Sequence, residues 1–417
     1  MSKQPFAPNS RSLIVLLGLS TALIAMGIDV LLPALPVMVR ELGLSPGQAQ
    51  LAVGLYIAGF ALGQIGWGWL SDSHGRRPVM LLGTGGYAVA TLLCAFIDSG
   101  ASLLALRFVQ GLFSSATRTA SRAMLRDLFT GVPLARKMSA MTSVFFLSPL
   151  LAPQLGTLLL IVAGWRGVFW LPGLVAAGCF AVCWLRLAES HPKHLRRRSS
   201  PGDILHLAAA MVKHPLSGPC LALQAGMSIG LMIWISSSSL ILVGHFDVPA
   251  HLFGLFFSAT ALVQFCGAML CNRLLKRGAP APVMALGASC VVVGGLLMLA
   301  VTLPGGGTLW QMMGAMWIYM LGFGLIVPAS GGMALHAFGA AGGMAAALMG
   351  SIQSLSGSFG SALSAWTYDG TPRSLGIGIG LSAGIASLMA LLLSRRLHRS
   401  PDLLGQVPDE PPEPPLQ

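Results

Sequence analysis

Apolar segments of about 18 to 25 residues alternate with short polar stretches along nearly the whole chain. A helix rises about 1.5 Å per residue, so each segment can cross a hydrocarbon core of roughly 30 Å. The pattern predicts an all-α membrane protein with twelve transmembrane helices. The predicted spans are 13–35, 50–70, 79–97, 103–124, 138–163, 168–187, 216–243, 252–275, 283–303, 309–329, 339–366 and 375–393.

The second half of the chain repeats the first. Without a gap, Gly54-Leu55 aligns with Gly254-Leu255, Ala61-Leu62-x-Gln64 with Ala261-Leu262-x-Gln264, Asp72 with Asn272, and Arg76-Arg77 with Lys276-Arg277. So many matches in one register rarely arise by chance, and we interpret the chain as two six-helix pseudo-repeats. Parallel repeats of membrane helices are typical of one large class of secondary transporters.

Composition excludes a soluble fold. Hydrophobic residues make up 54% of the chain and charged residues 9%, with a mean hydropathy of +0.76, whereas soluble domains carry about 25% charged residues. The net charge of +12 indicates membrane orientation, not nucleic-acid binding. With the N-terminus inside, 20 of the 25 basic residues fall in cytoplasmic segments or at the cytoplasmic ends of spans. Arg40, Arg166 and Arg373 fall outside, and Arg107 and Arg118 lie deeper within the fourth span.

These features divide the chain into five predicted parts. They are a cytoplasmic lead over 1–12, an N-terminal six-helix bundle over 13–187, a cytoplasmic basic linker over 188–215, a C-terminal six-helix bundle over 216–396 and a disordered cytoplasmic tail over 397–417. The first apolar stretch is too long for a signal-peptide core, so we expect it to remain as a helix. The proline-rich tail is unable to pack or to form a helix.

A loop motif between the second and third spans carries a family resemblance. Gly68, Leu70, Asp72, Gly75 and Arg76-Arg77 match the loop signature of the major facilitator superfamily, and the segment resembles that signature. In relatives this loop holds the two halves together in the outward-facing state. The resemblance therefore implies a conformational latch, here formed by Gly68, Asp72, Gly75, Arg76, Arg77, Arg126 and Asp127.

Further segments are similar to the bicyclomycin/chloramphenicol-resistance branch of drug:proton antiporters. They are Asp29 to Pro36, Arg107-Phe-Val-Gln110-Gly111, Arg126-Asp127 and an element resembling the antiporter motif at Ala152, Pro153 and Gly156. The resemblance implies alternating access in the bacterial inner membrane, with both termini cytoplasmic. It also implies multidrug or antibiotic efflux driven by the proton gradient, with no cofactor.

Asp29 is the only one of the thirteen acidic residues that lies well inside a predicted span. A charge there costs about 2.5 to 3.5 kcal/mol on insertion scales, so it needs a cavity, a partner or a proton. By helical rise Arg107 lies at a similar depth. Movement of Arg107 relative to Asp29 would then couple conformation to proton uptake or release. We predict that these two residues couple the proton; the alternative is a carboxylate that only joins two helices.

Polar and aromatic groups within the apolar spans are candidates for a substrate cavity. Arg107, Ser114 and Arg118 lie on one helical face, because their spacings of 7 and 4 residues keep them within about 20° of one direction around the helix. For any single residue of this kind a hydrogen bond in the core is an equally good interpretation. The candidate cavity residues are Tyr56, Gln110, Arg118, Gln224, Trp234, Gln264 and Gln353.

Two functions fit this pattern, and one does not. The first is a proton-coupled exporter of small, mainly uncharged or weakly basic drugs. The second is an exporter of an endogenous metabolite, such as a siderophore-like chelator, a peptide or a sugar. A membrane enzyme is disfavoured, because the sequence has one embedded carboxylate, no metal-spaced histidines and no P-loop. The expected partners are a small molecule, protons and lipid, without metal or nucleic acid, and we expect a monomer.

Overall fold

The computed structural model describes residues 6–7, 10–196, 201–276, 280–303, 307–336, 338 and 342–399. Every regular element in these ranges is a helix. Two are short 3-10 helices, Leu32–Ala34 and Lys193–Leu195. The α-helices are α1 Arg11–Asp29, α2 Leu35–Glu41, α3 Pro46–His74, α4 Arg76–Cys94, α5 Gly100–Leu128, α6 Gly131–Arg186, α7 Pro201–Lys213, α8 Ser217–Leu242, α9 Ala250–Leu275, α10 Pro280–Thr302, α11 Leu309–His336, α12 Gly342–Thr367 and α13 Arg373–Arg399. The predicted disordered tail lies outside the described residues from 400 onward.

Nine helices among the described residues are long and apolar enough to cross a membrane. One of the nine, Leu147–Arg186, has 40 residues, about 60 Å of helix and twice what one crossing needs. Gly164 interrupts it with φ 66° and ψ −173°, which are not helical values. Two further helices, α5 and α12, have 29 and 26 residues. The predicted all-helical membrane fold is confirmed, and the number of twelve spans is consistent with it but stays a prediction.

Pro33 determines where α1 ends. A proline has no N–H to donate to the carbonyl four residues earlier, and its ring clashes with that carbonyl. The residue four positions before Pro33 is Asp29, which is the last residue of α1. The chain continues through the 3-10 helix and then α2 within one apolar stretch, Arg11–Glu41. The sequence thus places its buried acid at a break in the first span.

Glycines allow the helices around this break to pack closely. A Cβ on Gly111 of α5 would overlap the Tyr56 carbonyl oxygen of α3, and one on Gly156 of α6 would overlap the Val30 carbonyl oxygen after α1. Backbone cannot move away as a side chain can, so only glycine fits. These contacts position Tyr56 and the end of α1 for the site described below.

The chain divides into two compact units. One consists of Met1–Ser199, Met232–Ala261 and Gly357–Pro372, and the other of Ser200–Leu231, Leu262–Ser356 and Arg373–Gln417. The first unit therefore contains parts of α8, α9 and α12 besides the first half of the chain. The predicted boundaries of the two bundles, 13–187 and 216–396, stay a prediction.

Candidate functional site

Arg107 is a fully buried cation whose partners are all uncharged. Its side chain is 0% exposed. Nε donates to the Ala52 carbonyl at 3.1 Å, Nη1 donates to Gln110 Oε1, and the guanidinium lies 4.5 Å from the centre of the Tyr56 ring. Nη2 has no hydrogen-bond partner. Such a desolvated charge is costly, which makes Arg107 a strong candidate for function.

Gln110 extends this network from α5 into α4. Its Nε2 donates to Thr91 Oγ1 at 2.7 Å, and Thr91 donates to the Tyr87 carbonyl at 2.6 Å. The Tyr87 hydroxyl then donates to the Leu23 carbonyl on α1 at 2.9 Å. Gln110, predicted as a cavity residue, is thus a positioning residue for Arg107 in this structure, since its amide bonds both Arg107 and Thr91.

Asp29 is 4% exposed, and among the described residues no ion pair or hydrogen bond engages its carboxylate. The expected direct pair with Arg107 is therefore not formed. Tyr56 connects Arg107 to α1, the helix that ends at Asp29, because its ring lies 4.5 Å from the Arg107 guanidinium and its hydroxyl donates to the Ile24 carbonyl on α1 at 3.1 Å. The proton-coupling role of Asp29 and Arg107 stays a prediction.

The other predicted cavity residues of the first unit lie on α5 and α8. Arg118 places its guanidinium 5.6 Å from the centre of the Phe60 ring on α3. Ser114, one turn earlier, is buried and donates to the Gly111 carbonyl at 2.8 Å. Trp234 is 1% exposed, and its indole Nε1 has no hydrogen-bond partner. A buried indole N–H without an acceptor is unusual, so Trp234 stays a candidate for ligand contact.

The second unit contains a separate polar cluster. Gln353 of α12 donates to Gln224 Oε1 of α8, and Gln224 Nε2 donates to Ser330 Oγ of α11 at 3.0 Å. Gln224 and Ser330 are buried, and Gln264 is half-buried on α9. From the sequence each of these glutamines was a separate candidate for the substrate cavity. The structure brings Gln224 and Gln353 into direct contact.

The predicted latch residues form an ion-pair network at the ends of α3, α4 and α5. Arg76 is buried, bonds the carboxylate of Asp72, and bonds Asp127 Oδ2 at 3.0 Å and Ser71 Oγ at 3.1 Å. Arg126 is exposed and does not join the network through any described ion pair. One buried arginine thus holds three helices together.

Glu189 belongs to the same network and was not predicted. Its carboxylate accepts hydrogen bonds from the backbone N–H groups of Arg76 at 2.9 Å, Arg77 at 3.2 Å and His191 at 3.0 Å. Its Oε2 also lies 3.8 Å from Arg196 Nη2. An anion is favourable at a helix N-terminus, and α4 begins at Arg76. An acid directly after the sixth span, at the start of a mainly basic linker, was the available signal.

The two glycines of the loop motif have different surroundings. Gly75 has φ 108° and ψ 165°, a region that only glycine adopts readily. A Cβ there would also overlap Glu189 Oε2 and lie 2.7 Å from Arg196 Nη2. At Gly68 the nearest atom to a Cβ would be Thr119 Cγ2 at 3.9 Å, an ordinary contact. In this structure the motif requires glycine at Gly75 but not at Gly68.

The element resembling the antiporter motif lies on α6 against the break in the first span. Ala152 is 2% exposed, and Pro153 lies inside the helix. Gly156 makes the close approach to Val30 described above. The next residue, Thr157, is buried and its hydroxyl donates to the Pro153 carbonyl at 3.0 Å. The motif therefore packs against the backbone of Val30, the residue after Asp29, within the first unit.

Residues 17–361 match the family model described as Major Facilitator Superfamily. The chain belongs to this superfamily. It is 32% identical to a bicyclomycin resistance protein homolog of Haemophilus influenzae, over 63% of this chain and 66% of the relative. It is 27% identical to a chloramphenicol resistance protein of Pseudomonas aeruginosa, over 78% and 77%. The crystal structure of a peptide transporter matches the fold with a TM-score of 0.76 at 15% identity, covering 96% of this chain and 98% of that chain.

These findings confirm the predicted superfamily and its drug-resistance branch. Members of the superfamily are transporters and not enzymes, and the chain is a multi-pass membrane protein. Among the described residues no group of three or more His, Cys, Asp and Glu side chains could hold a metal ion.

Proposed function

We propose that this protein is a proton-coupled multidrug exporter of the bacterial inner membrane, working by alternating access without a cofactor. The observation that carries the proposal is the Asp29 carboxylate, which is 4% exposed and has no ion-pair partner among the described residues. A buried carboxylate of this kind is relieved most simply by a proton. Tyr56 connects α1, which ends at Asp29, to the Arg107 network, through a hydrogen bond to the Ile24 carbonyl and contact of its ring with the Arg107 guanidinium.

The proton gradient supplies enough energy for uphill export. One proton moving down about 150 mV releases about 3.5 kcal/mol, which supports a cargo gradient of roughly 300-fold. Antiport requires that the protein does not release the proton and the cargo on the same side of the membrane. A carboxyl group at the break after α1 can lose its proton when the helices around Tyr56 and Arg107 shift, because their electrostatic influence on Asp29 then changes.

Hydrogen bonds within the first unit support a gate that opens and closes. Ser358 and Ser361 of α12 donate to the carbonyls of Gly54 and Gln50 on α3, at 2.9 and 3.1 Å. Gln154 of α6 donates to Ser258 Oγ of α9 at 2.8 Å. These neutral bonds join the two sequence halves, and each contributes only about 0.5 to 1.5 kcal/mol net. They are weak enough to exchange during a transport cycle.

Asp29→Asn is the decisive variant. In proteoliposomes with an imposed pH gradient it should insert normally but lose gradient-driven drug accumulation and drug-triggered proton release. Arg107→Ala should fail in the same way. Asp98→Asn provides the matched control, because that carboxylate is 86% exposed and, among the described residues, pairs only with Arg166. Undiminished uphill transport by Asp29→Asn would show that another group carries the proton.

Two simpler measurements test the cargo and the orientation. Drug-susceptibility profiling of an efflux-deficient host, with and without this chain, should show resistance to several drugs; unchanged susceptibility would favour an endogenous metabolite. A cysteine introduced beside Lys193 should react with an impermeant reagent only in lysed cells, because we propose that both termini and this linker are cytoplasmic.

A further inference from the structure

Three arginines follow one another along the last three turns of α5. Arg118, Arg122 and Arg126 recur every four residues, so they lie on one helical face. Arg118 and Arg122 are half-buried and Arg126 is exposed. Like charges four residues apart on a helix repel each other. We call these three residues the arginine ladder.

The ladder runs from outside the fourth predicted span into it. That span ends at residue 124, so Arg126 lies beyond it, while Arg122 lies about 3 Å and Arg118 about 9 Å inside it along the helix. Arg107 continues the positive charge further along α5, with a buried Nη2 that has no hydrogen-bond partner. Positive charge therefore runs along α5 from the exposed end toward the middle of the membrane.

Few carboxylates lie near this charge in the sequence. Asp127 is the only acid on α5, and it is bonded by Arg76 at 3.0 Å and by Ser190 at 3.0 Å. None of the ion pairs among the described residues includes Arg122 or Arg107. The six predicted spans of the second half contain no Asp or Glu at all. A cargo that meets the ladder thus meets an excess of positive charge.

We propose that the arginine ladder selects cargo by charge, and that the favoured cargo is a small amphiphilic organic anion. This inference rests on the proposed transport function and narrows its substrate class. A planar guanidinium binds carboxylate or sulfonate oxygens with directed, charge-assisted hydrogen bonds. A cation of the same size would be repelled by like charges in a poorly solvated environment, whereas a neutral compound would be neither favoured nor excluded.

Phe60 suits the apolar part of such a cargo. Its ring lies beside Arg118, on the face of α3 that packs against α5. The Gln64 amide one turn further along α3 is buried, and its Nε2 has no hydrogen-bond partner. An aromatic ring, an unused amide donor and the ladder together offer both apolar contact and donors for an acidic group.

The test uses three aromatic probes of equal size that differ in one substituent: a carboxylate, a carboxamide or an aminomethyl group. Counterflow exchange in proteoliposomes needs no pH gradient, so it measures cargo recognition separately from proton coupling. The wild-type protein should exchange the carboxylate with the lowest KM, the amide less well and the amine least. Arg122→Gln should raise the KM for the carboxylate about 30-fold, the equivalent of about 2 kcal/mol for one lost charge contact. The KM for the amide should stay unchanged.

Control variants distinguish recognition from folding. Arg136→Gln removes an exposed arginine from the start of α6 and should change neither KM. Arg122→Lys keeps the charge and should recover most of the carboxylate affinity; unchanged amide exchange shows that each variant is folded. Equal exchange of amine and carboxylate, or an unchanged carboxylate KM in Arg122→Gln, would overturn charge selection alone. Exchange of none of the probes by the wild type would overturn the transport function together with it.

Discussion

Gly75→Ala tests the structural account of the loop motif most sharply. Gly75 adopts φ 108° and ψ 165°, and a methyl group there would overlap the Glu189 carboxylate. That carboxylate caps α4 by accepting from the N–H groups of Arg76 and Arg77 at 2.9 and 3.2 Å. The substitution therefore strains the backbone and displaces the cap.

The cost follows from these two effects. Holding a non-glycine residue in this backbone region costs about 1 to 3 kcal/mol. Loss of two hydrogen bonds to a charged acceptor costs about 1.5 to 3 kcal/mol each, so the sum is about 4 to 9 kcal/mol. For 417 residues an unfolding entropy of about 2.1 cal/mol/K per residue converts each kcal/mol into about 1 °C. We expect the apparent Tm to fall by about 4 to 9 °C.

Gly68→Ala is the matched control within the same motif. The nearest atom to its new methyl group would be Thr119 Cγ2 at 3.9 Å, and alanine favours a helix by about 0.5 to 1 kcal/mol over glycine. Its Tm should stay the same or rise slightly.

The assay is thermal unfolding of purified protein in detergent, paired with transport in proteoliposomes. A Gly75→Ala protein with wild-type Tm and transport would refute the reasoning. A Gly68→Ala protein that is stable but inactive would show that Gly68 packs closely in another conformation of the cycle, as the latch hypothesis expects.

Three further predictions follow from single contacts. Asp72→Asn should insert normally but transport more slowly, because the Arg76 network loses one of its carboxylates; normal turnover in proteoliposomes would refute the latch. Gly111→Ala should lower the Tm strongly, since its Cβ would overlap the Tyr56 carbonyl, whereas Gly66→Ala, with no atom within 4 Å, should not. Burial lowers the pKa of His214, whose Nδ1 accepts the N–H groups at the start of α8. The unfolded chain then binds the proton more readily, so stability should fall as pH drops below about 6.5, and His214→Ala should remove that part of the pH dependence of Tm.

The sequence by itself determined the fold class and the superfamily. Spans could be predicted because hydrocarbon thickness sets how many apolar residues a crossing helix needs. The loop motif and Asp29 stood out for a related reason, since charged residues are rare within so apolar a chain. The end of α1 also follows from the local sequence, because Pro33 has no backbone N–H to donate to the Asp29 carbonyl.

Only the tertiary structure decided which side chains meet. The sequence placed Asp29 and Arg107 at one depth, but depth along two helices does not fix their rotation or which way side chains point. The rotation of α5 directs Arg107 to Tyr56 and to the Ala52 carbonyl on α3, while Asp29 has no ion-pair partner among the described residues. Glu189 caps α4 from 113 positions further along the chain. Contacts of this kind depend on how distant segments pack, and hydrophobic periodicity carries no information about that packing.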